Sequence, residues 1–333
     1  MMTFFAQDDL NRLLAELFPN EKVKISSLDK GLLNQNLVVE TKAEKLLLKI
    51  YRSEVGKQEL QDMHRVMEFV DERGVPVPKL IMNTERSDRQ IGLYRYLLGK
   101  NPVLYSKSIL RIEAMGEMLG QIHKILDDYA RIYKPEDVTP MQAEIHKREE
   151  KVKKIQVLIE KAKQQELPHI KELIGILEER VSRLESQDWD FASFDQLPHH
   201  FVHGDFHTAN ILFSGNHLAG VLDWEKAGWG GHAFEIMRSI IFNCRRTAKS
   251  LNWQNVETYV KAYKQHQSLT SAECELAFPF VFSKMMFGTW TEEEYLKGRT
   301  DVWENVLRRH EINAYLFKNQ QAFTKRFAEL FSK

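Results

Sequence analysis

Cysteine is nearly absent from this chain of 333 residues, where Cys244 and Cys274 are the only two. Two distant thiols supply neither a disulfide framework nor the four closely spaced ligands of a tetrahedral zinc site. Both are expected to be reduced core thiols, because free cysteine is among the most often buried residue types. Net charge is missing as well. Lys and Arg total 47, as do Asp and Glu, so no global field draws the chain to nucleic acid. Long apolar runs are also lacking: the amino terminus reaches Asp8 and Asp9 before a stretch of signal-peptide length develops. No later segment approaches the roughly 18 uncharged residues that a membrane span requires. Together these absences predict a soluble cytoplasmic protein that binds neither nucleic acid nor membrane. No Walker sequence, no Gly-x-Gly-x-x-Gly, no internal repeat and no low-complexity tract occurs, which leaves P-loop and dinucleotide folds without support. What the chain does have is apolar material, 43% of its residues, enough for a sizeable core spread over about two domains of roughly 150 residues.

The first strong pattern is a strand series. Val23 to Leu28, Leu37 to Thr41 and Leu46 to Tyr51 read as three antiparallel strands, with the polar turn Lys42-Ala43-Glu44 between the last two. The period then changes to that of a helix, since Leu60, Met63, Met67 and Val70 recur at helical spacing before Gly74, Pro76 and Pro78. Lys79 to Asn83 and Gln90 to Leu97 suggest a further hairpin through Ser87-Asp88, and Gly99-Lys100-Asn101-Pro102 breaks the chain. Beyond it, Ile112, Met115, Leu119, Ile122 and Ile125 line a long helix. The charged stretch from 141 to 187 keeps an apolar stripe on each side of Pro168, which predicts a helical hairpin rather than a free-standing coiled coil. Helical patterning resumes past residue 233 and runs to the end. The organisation expected is an N-terminal lobe over 1–98 and a mostly helical lobe over 99–333 carrying the hairpin as an insertion.

The segment richest in chemistry is Phe201-Val202-His203-Gly204-Asp205-Phe206-His207-Thr208-Ala209-Asn210, followed thirteen residues later by Asp223 in Leu222-Asp223-Trp224-Glu225. Two apolar runs, Ile211 to Phe213 and Leu218 to Leu222, bracket the turn Ser214-Gly215-Asn216. They read as a hairpin flanked by Asp205 and Asn210 on one side and Asp223 on the other. Hard oxygen donors gathered in this way suit Mg²⁺, which takes carboxylate and amide oxygens together with substrate phosphates. His199, His203 and His207 recur every fourth residue, but on strand and loop rather than one helix face, so they do not read as a zinc site.

His-Gly-Asp, then Asn after four intervening residues, then an apolar strand pair and Asp-Trp-Glu, resembles the catalytic signature of the aminoglycoside phosphotransferase and choline kinase superfamily. These are small-molecule kinases with a two-lobed protein-kinase-like α+β fold, an N-terminal antiparallel sheet with one helix, and a mostly helical C-terminal lobe. The resemblance implies that Asp205 positions and deprotonates the acceptor hydroxyl, while Asn210 and Asp223 hold Mg²⁺ on the phosphates of ATP. It also implies that the loop Asp29 to Asn36, with Gly31 and Asn34, covers those phosphates, although Gly31 is its only glycine. Lys49 stands where the family's phosphate-binding lysine lies, and Glu59 is its expected partner on the next helix. Leu93 to Gly99 resembles the interlobe hinge, where backbone groups of Arg95, Tyr96 and Leu97 would meet a purine edge. His123 is expected to be packed rather than catalytic, and Glu235 stands where relatives carry an acid that supports the catalytic loop.

The expected activity is transfer of the γ-phosphoryl of ATP to a hydroxyl of a small-molecule acceptor by a monomer or homodimer, with acceptor contacts from 141–187 and 254–318. Two alternatives stay open: a non-catalytic kinase-shaped binding or assembly protein, like the spore-coat-associated members of this superfamily, and an enzyme that phosphorylates protein. Retention of Lys49, Asp205, Asn210 and Asp223 together favours a catalyst.

Overall fold

The computed structural model describes residues 7–28, 34–103, 105, 108–134, 148–189 and 191–332; Gly31 and residues 141–147 of the expected hairpin lie outside the described residues. The chain forms two units, one made of Met1–Pro102 with Ala209–Ala227, the other of Val103–Thr208 with Gly228–Lys333. This differs in one respect from a single cut near residue 98. A later segment joins the N-terminal one because the Val221 amide donates to the Pro76 carbonyl at 2.7 Å and Phe213 exchanges two backbone hydrogen bonds with Lys100.

The first unit holds a five-stranded antiparallel sheet in the order β1-β2-β3-β5-β4. Its strands are β1 (Lys24–Ser27), β2 (Gln35–Glu40), β3 (Lys45–Ile50), β4 (Leu80–Arg86) and β5 (Arg89–Arg95), with α2 (Lys57–Asp71) between β3 and β4. Alternation along β3 turns Leu46, Leu48 and Ile50 to one face, where they are buried. A helix the strand pattern did not include covers that face: α1 (Gln7–Leu17) sets Leu10, Leu13 and Leu14 against Leu37, Val39, Leu48 and Leu93. Each such leucine contributes about 1.5–3 kcal/mol by leaving water. Among its described residues the N-terminal segment therefore has two α-helices rather than one. The later segment adds the hairpin β7 (Ile211–Ser214) and β8 (His217–Val221).

The second unit is built on α3 (Ile109–Tyr133), which Ser108 caps by accepting the Arg111 amide. Its buried stripe, Ile112, Met115, Leu119 and Ile122, continues into glycines that let α8 (Trp253–Tyr263) come close. A Cβ on Gly116 would stand 2.4 Å from the Tyr259 carbonyl oxygen. The expected hairpin consists of α4 (Arg148–Lys163) and α5 (Ile170–Glu185). It is docked rather than free-standing, since buried Arg180 pairs with Glu292 and donates to the Gly288 carbonyl at 2.9 Å. After α6 (Phe191–Asp195), β6 (His200–Val202) pairs with β9 (Gly228–Gly230), which leads into α7 (His232–Asn243). The helical run past residue 233 is interrupted once, by the short hairpin β10 (Arg245–Thr247) and β11 (Ser250–Leu251), before α9 (Ser271–Phe287), α10 (Trp290–Leu296) and α11 (Trp303–Ser332). Cys244 and Cys274 are free and buried. Among the described residues no helix is long and apolar enough to cross a membrane.

Candidate active site

In the first unit the site grows from β3. Lys49 pairs in the ladder with Asn36 and Gly92 and extends its side chain, 14% exposed, to two carboxylates. Its Nζ lies 3.3 Å from Oδ1 of Asp223 and forms an ion pair with Glu225. Glu59, the partner expected from the sequence, is exposed in the first turn of α2 and is not one of these contacts. What α2 offers instead is His64, whose Nε2 lies 2.7 Å from the Tyr94 hydroxyl, itself 2.6 Å from that of Tyr51. Burial and then the Lys49 charge push His64 down to about 4, so its imidazole is neutral near pH 7.

Asp223 and Asn210 come together because β7 and β8 are antiparallel: the Leu222 amide donates to the Asn210 carbonyl at 2.8 Å, and Asp223 follows directly. Asn101 pins the entrance of the hairpin by donating its amide to the carbonyls of Ala209 and Ile211 at 2.7 and 3.0 Å. Asp223 is held in the left-handed region at φ 63° and ψ 64°, a conformation tolerated best by Gly, Asn and Asp and typical of functional turns. Asn34 spans this end of the unit, donating to Oε1 of Glu225 at 2.7 Å and accepting the Arg52 amide at 3.0 Å. Glu225 is the residue the motif reading left without a role. Its link to Lys49 crosses most of the chain, and no local pattern announces it. Two carboxylates on one ammonium form a net negative set of oxygen donors that fits Mg²⁺.

Arg95, Tyr96 and Leu97 follow the end of β5. The Arg95 amide donates to the Lys79 carbonyl at 2.9 Å and the Tyr96 amide to that of Lys45 at 3.3 Å. Two of the three hinge amides are thus engaged with the neighbouring backbone.

The second unit carries Asp205, 7% exposed, on the loop that leaves β6. Gly204 sits at φ 80°, a turn a side chain would strain, and so redirects the backbone just before the acid. The loop hangs on Glu235 in the first turn of α7, which accepts the His203 amide at 2.9 Å and the Phe206 amide at 3.3 Å, on either side of Asp205. Burial raises the Glu235 carboxyl above the ordinary range. His123 of α3, fully buried, lies 3.1 Å from Glu235 through Nε2 and 2.8 Å from the Tyr263 hydroxyl through Nδ1. Burial lowers His123 to about 3, so the neutral ring donates to Glu235 and accepts from Tyr263. The carboxylate of Asp205 meets two bases: His207 Nε2 lies 3.1 Å and Arg238 Nη2 2.5 Å from its Oδ1. Arg238 stands one turn after Glu235 on α7, so a single helix face holds both the loop backbone and its acid.

A second polar cluster lies in the same unit. Asp127, His200 and His232 place one donor atom each within 4.8 Å of one another. The His200 and His232 rings are stacked, however, 3.7 Å apart and only 13° from parallel. Nitrogen lone pairs in parallel planes do not converge on one ion, so the trio is a hydrogen-bonded cluster around Asp127, which His200 Nδ1 approaches to 3.0 Å.

A model of the phosphotransferase enzyme family matches residues 24–269. A homoserine kinase of Bradyrhizobium sp. is 21% identical over 280 residues, 82% of this chain and 80% of that protein. The fold matches a choline kinase from Cryptosporidium parvum with a TM-score of 0.62 at 14% identity, over 96% of this chain and 98% of the other. An ADP-bound aminoglycoside phosphotransferase matches with a TM-score of 0.54 at 15% identity, over 94% and 99%.

Proposed function

The chain belongs to the phosphotransferase enzyme family, and from that premise we propose that it transfers the γ-phosphoryl group of ATP, with Mg²⁺, to the hydroxyl of a small-molecule acceptor. The observation that carries the reading is the approach of Lys49 Nζ to Asp223 Oδ1, 3.3 Å apart: the cation suited to phosphate oxygens and the anion suited to the metal meet on one unit, and the backbone of Asn210 is tied to the residue before that acid. Support for the nucleotide comes from the ADP-bound relative, and support for a small hydroxyl acceptor from the homoserine kinase.

In this reading Lys49 binds the phosphates, Asn210 and Asp223 hold the metal, and Glu225, released from Lys49 when nucleotide enters, is a third oxygen donor. Bound Mg²⁺ would offset the negative charge of the phosphates. Asp205 orients the acceptor hydroxyl and takes its proton as the new O–P bond forms. The bond from the γ-phosphorus to the bridging oxygen breaks, and its electron pair leaves with ADP. A reaction of this kind asks mainly for positioning and charge neutralisation, which the Glu235-tethered loop and the β3 lysine supply. The test is ADP release across a panel of small alcohols with Mg²⁺ or with EDTA. Acceptor-dependent release that EDTA abolishes is expected, and release indifferent to both acceptor and metal would overturn the reading.

A further inference from the structure

Lys49 rests on more than its two carboxylates. Its Nζ lies 5.0 Å from the centre of the Tyr51 ring, within the range in which an ammonium is attracted to an aromatic face. Tyr51 is buried, and its hydroxyl reaches that of buried Tyr94 at 2.6 Å, which in turn reaches Nε2 of His64 on α2 at 2.7 Å. A hydroxyl both donates and accepts, so the neutral His64 ring closes this chain with each phenol paired. Burial raises both phenols, and neither ionises near pH 7. The sheet makes room for the chain at Gly92, the partner of Lys49 in the ladder. A Cβ there would stand 2.4 Å from Cε2 of Tyr94, so a side chain would block the path of that ring toward Tyr51. Glycine inside a strand is otherwise unfavourable, and phenylalanine at 51 and 94 would fill the same space with no hydroxyl to satisfy. Both features fall beside the strand position that carries Lys49.

We propose that His64, Tyr94 and Tyr51 are positioning residues for Lys49: through their hydrogen-bonded chain, α2 fixes the aromatic face that holds the ammonium in place for the ATP phosphates. This inference rests on the phosphotransferase reading and adds three residues to its nucleotide site. Both carboxylates on Lys49 belong to the segment after β8, and in that reading they turn to the metal when nucleotide enters. The ammonium then needs a support that neither competes for Mg²⁺ nor cancels the charge meant for phosphate. A phenol ring is such a support, since its face attracts a cation without carrying a net charge. Hydrogen bonds fix the ring more narrowly than packing alone, and so limit the directions in which the ammonium swings. The helix thus reaches Lys49 by a neutral route rather than through Glu59.

The experiment is a double-mutant cycle read by calorimetry. Mg²⁺-ATP affinity and the urea midpoint are measured for the wild type, Tyr94→Phe, Tyr51→Leu, His64→Gln and His64→Leu, and for both tyrosine variants combined with Lys49→Met. Tyr94→Phe keeps the ring and breaks the chain, and its affinity should be about threefold to tenfold weaker, the size of one neutral hydrogen bond. Tyr51→Leu removes the aromatic face and should weaken binding at least as much. His64→Gln sets an amide near the place of Nε2 and should keep most of the affinity that His64→Leu loses. In the Lys49→Met background the tyrosine variants should no longer change affinity, because the group they position is gone, while their effects on the urea midpoint persist. A Tyr94→Phe protein that is less stable yet binds Mg²⁺-ATP like the wild type would overturn the proposal. So would affinity losses of equal size with and without Lys49, since the chain would then serve packing alone. If Tyr94→Phe does not fold, the two His64 variants decide at the partly exposed end of the chain, and wild-type affinity in His64→Leu would overturn the proposal as well. Lys49→Met binding as tightly as the wild type defeats the role of Lys49 and this inference with it, and a wild type that binds no Mg²⁺-ATP defeats the phosphotransferase reading itself.

Discussion

Glu235 and His203 are 32 residues apart in the chain, yet a carboxylate oxygen of the first accepts the backbone amide of the second at 2.9 Å. With the Phe206 amide at 3.3 Å, this makes one buried side chain the anchor of both shoulders of Asp205. Glu235→Ala removes the acceptor for two buried amides, each costing about 1–3 kcal/mol when left unpaired. The urea midpoint should fall together with kcat, whereas the KM for ATP changes little. Glu235→Gln keeps an acceptor oxygen and should recover most of the stability, and a wild-type kcat in Glu235→Ala would show that the loop needs no such anchor.

Lys49 and Asp223 offer a separate test on the nucleotide side. Lys49→Met deletes the cation expected on the phosphates, and a lost charge-assisted contact corresponds to roughly a tenfold to hundredfold weaker ATP affinity. Asp223→Asn should weaken nucleotide binding chiefly when Mg²⁺ is present. Calorimetry with and without the metal separates the two effects, and an unchanged Mg²⁺-dependent affinity in Asp223→Asn would remove it from the metal site.

Acid should destabilise the fold through its buried histidines. His123 is lowered from 6.5 to about 3 by burial, and His232 shifts in the same direction for the same reason. Because the folded-state value lies below the unfolded one, the unfolded chain binds protons that the folded chain refuses. Stability is therefore full above about pH 6.5 and is lost as pH falls toward 3, at about 1.4 kcal/mol per pH unit for each such histidine. Urea unfolding at pH 7.5 and 5.5 should show this slope, reduced by one histidine's share in His123→Gln. A slope unchanged in that variant would contradict the assignment.

Gly116→Ala should destabilise the second unit. The added methyl would stand 2.4 Å from the Tyr259 carbonyl oxygen, backbone that cannot step aside without moving α8 from α3. Overpacking of this kind costs about 1–3 kcal/mol. A neutral or raised melting temperature would mean that the two helices separate freely.

Much of the architecture was legible because strand and helix periods differ. Leu46, Leu48 and Ile50 alternate, Leu60, Met63, Met67 and Val70 do not, and both assignments match the elements found. The helix α1 is legible too in Leu10, Leu13, Leu14 and Leu17, whose spacing is that of one helix face. The loop around Asp205 could be found because its residues are consecutive. Partners across the chain could not. Lys49 meets Glu225 rather than Glu59, and Asp205 meets Arg238, through folding that brings distant segments together. An acid two positions past Asp223 and an arginine one turn past Glu235 look like ordinary surface residues until the backbone places them.

The account stands most directly on Asp205. Steady-state ADP release with a hydroxyl acceptor, at saturating ATP and Mg²⁺, should be at least roughly a hundredfold slower in Asp205→Asn than in the wild type, the loss typical of a general base. Nucleotide affinity and melting temperature should stay near wild-type values. An Asp205→Asn protein that is folded, binds ATP and turns over at the wild-type rate would contradict it.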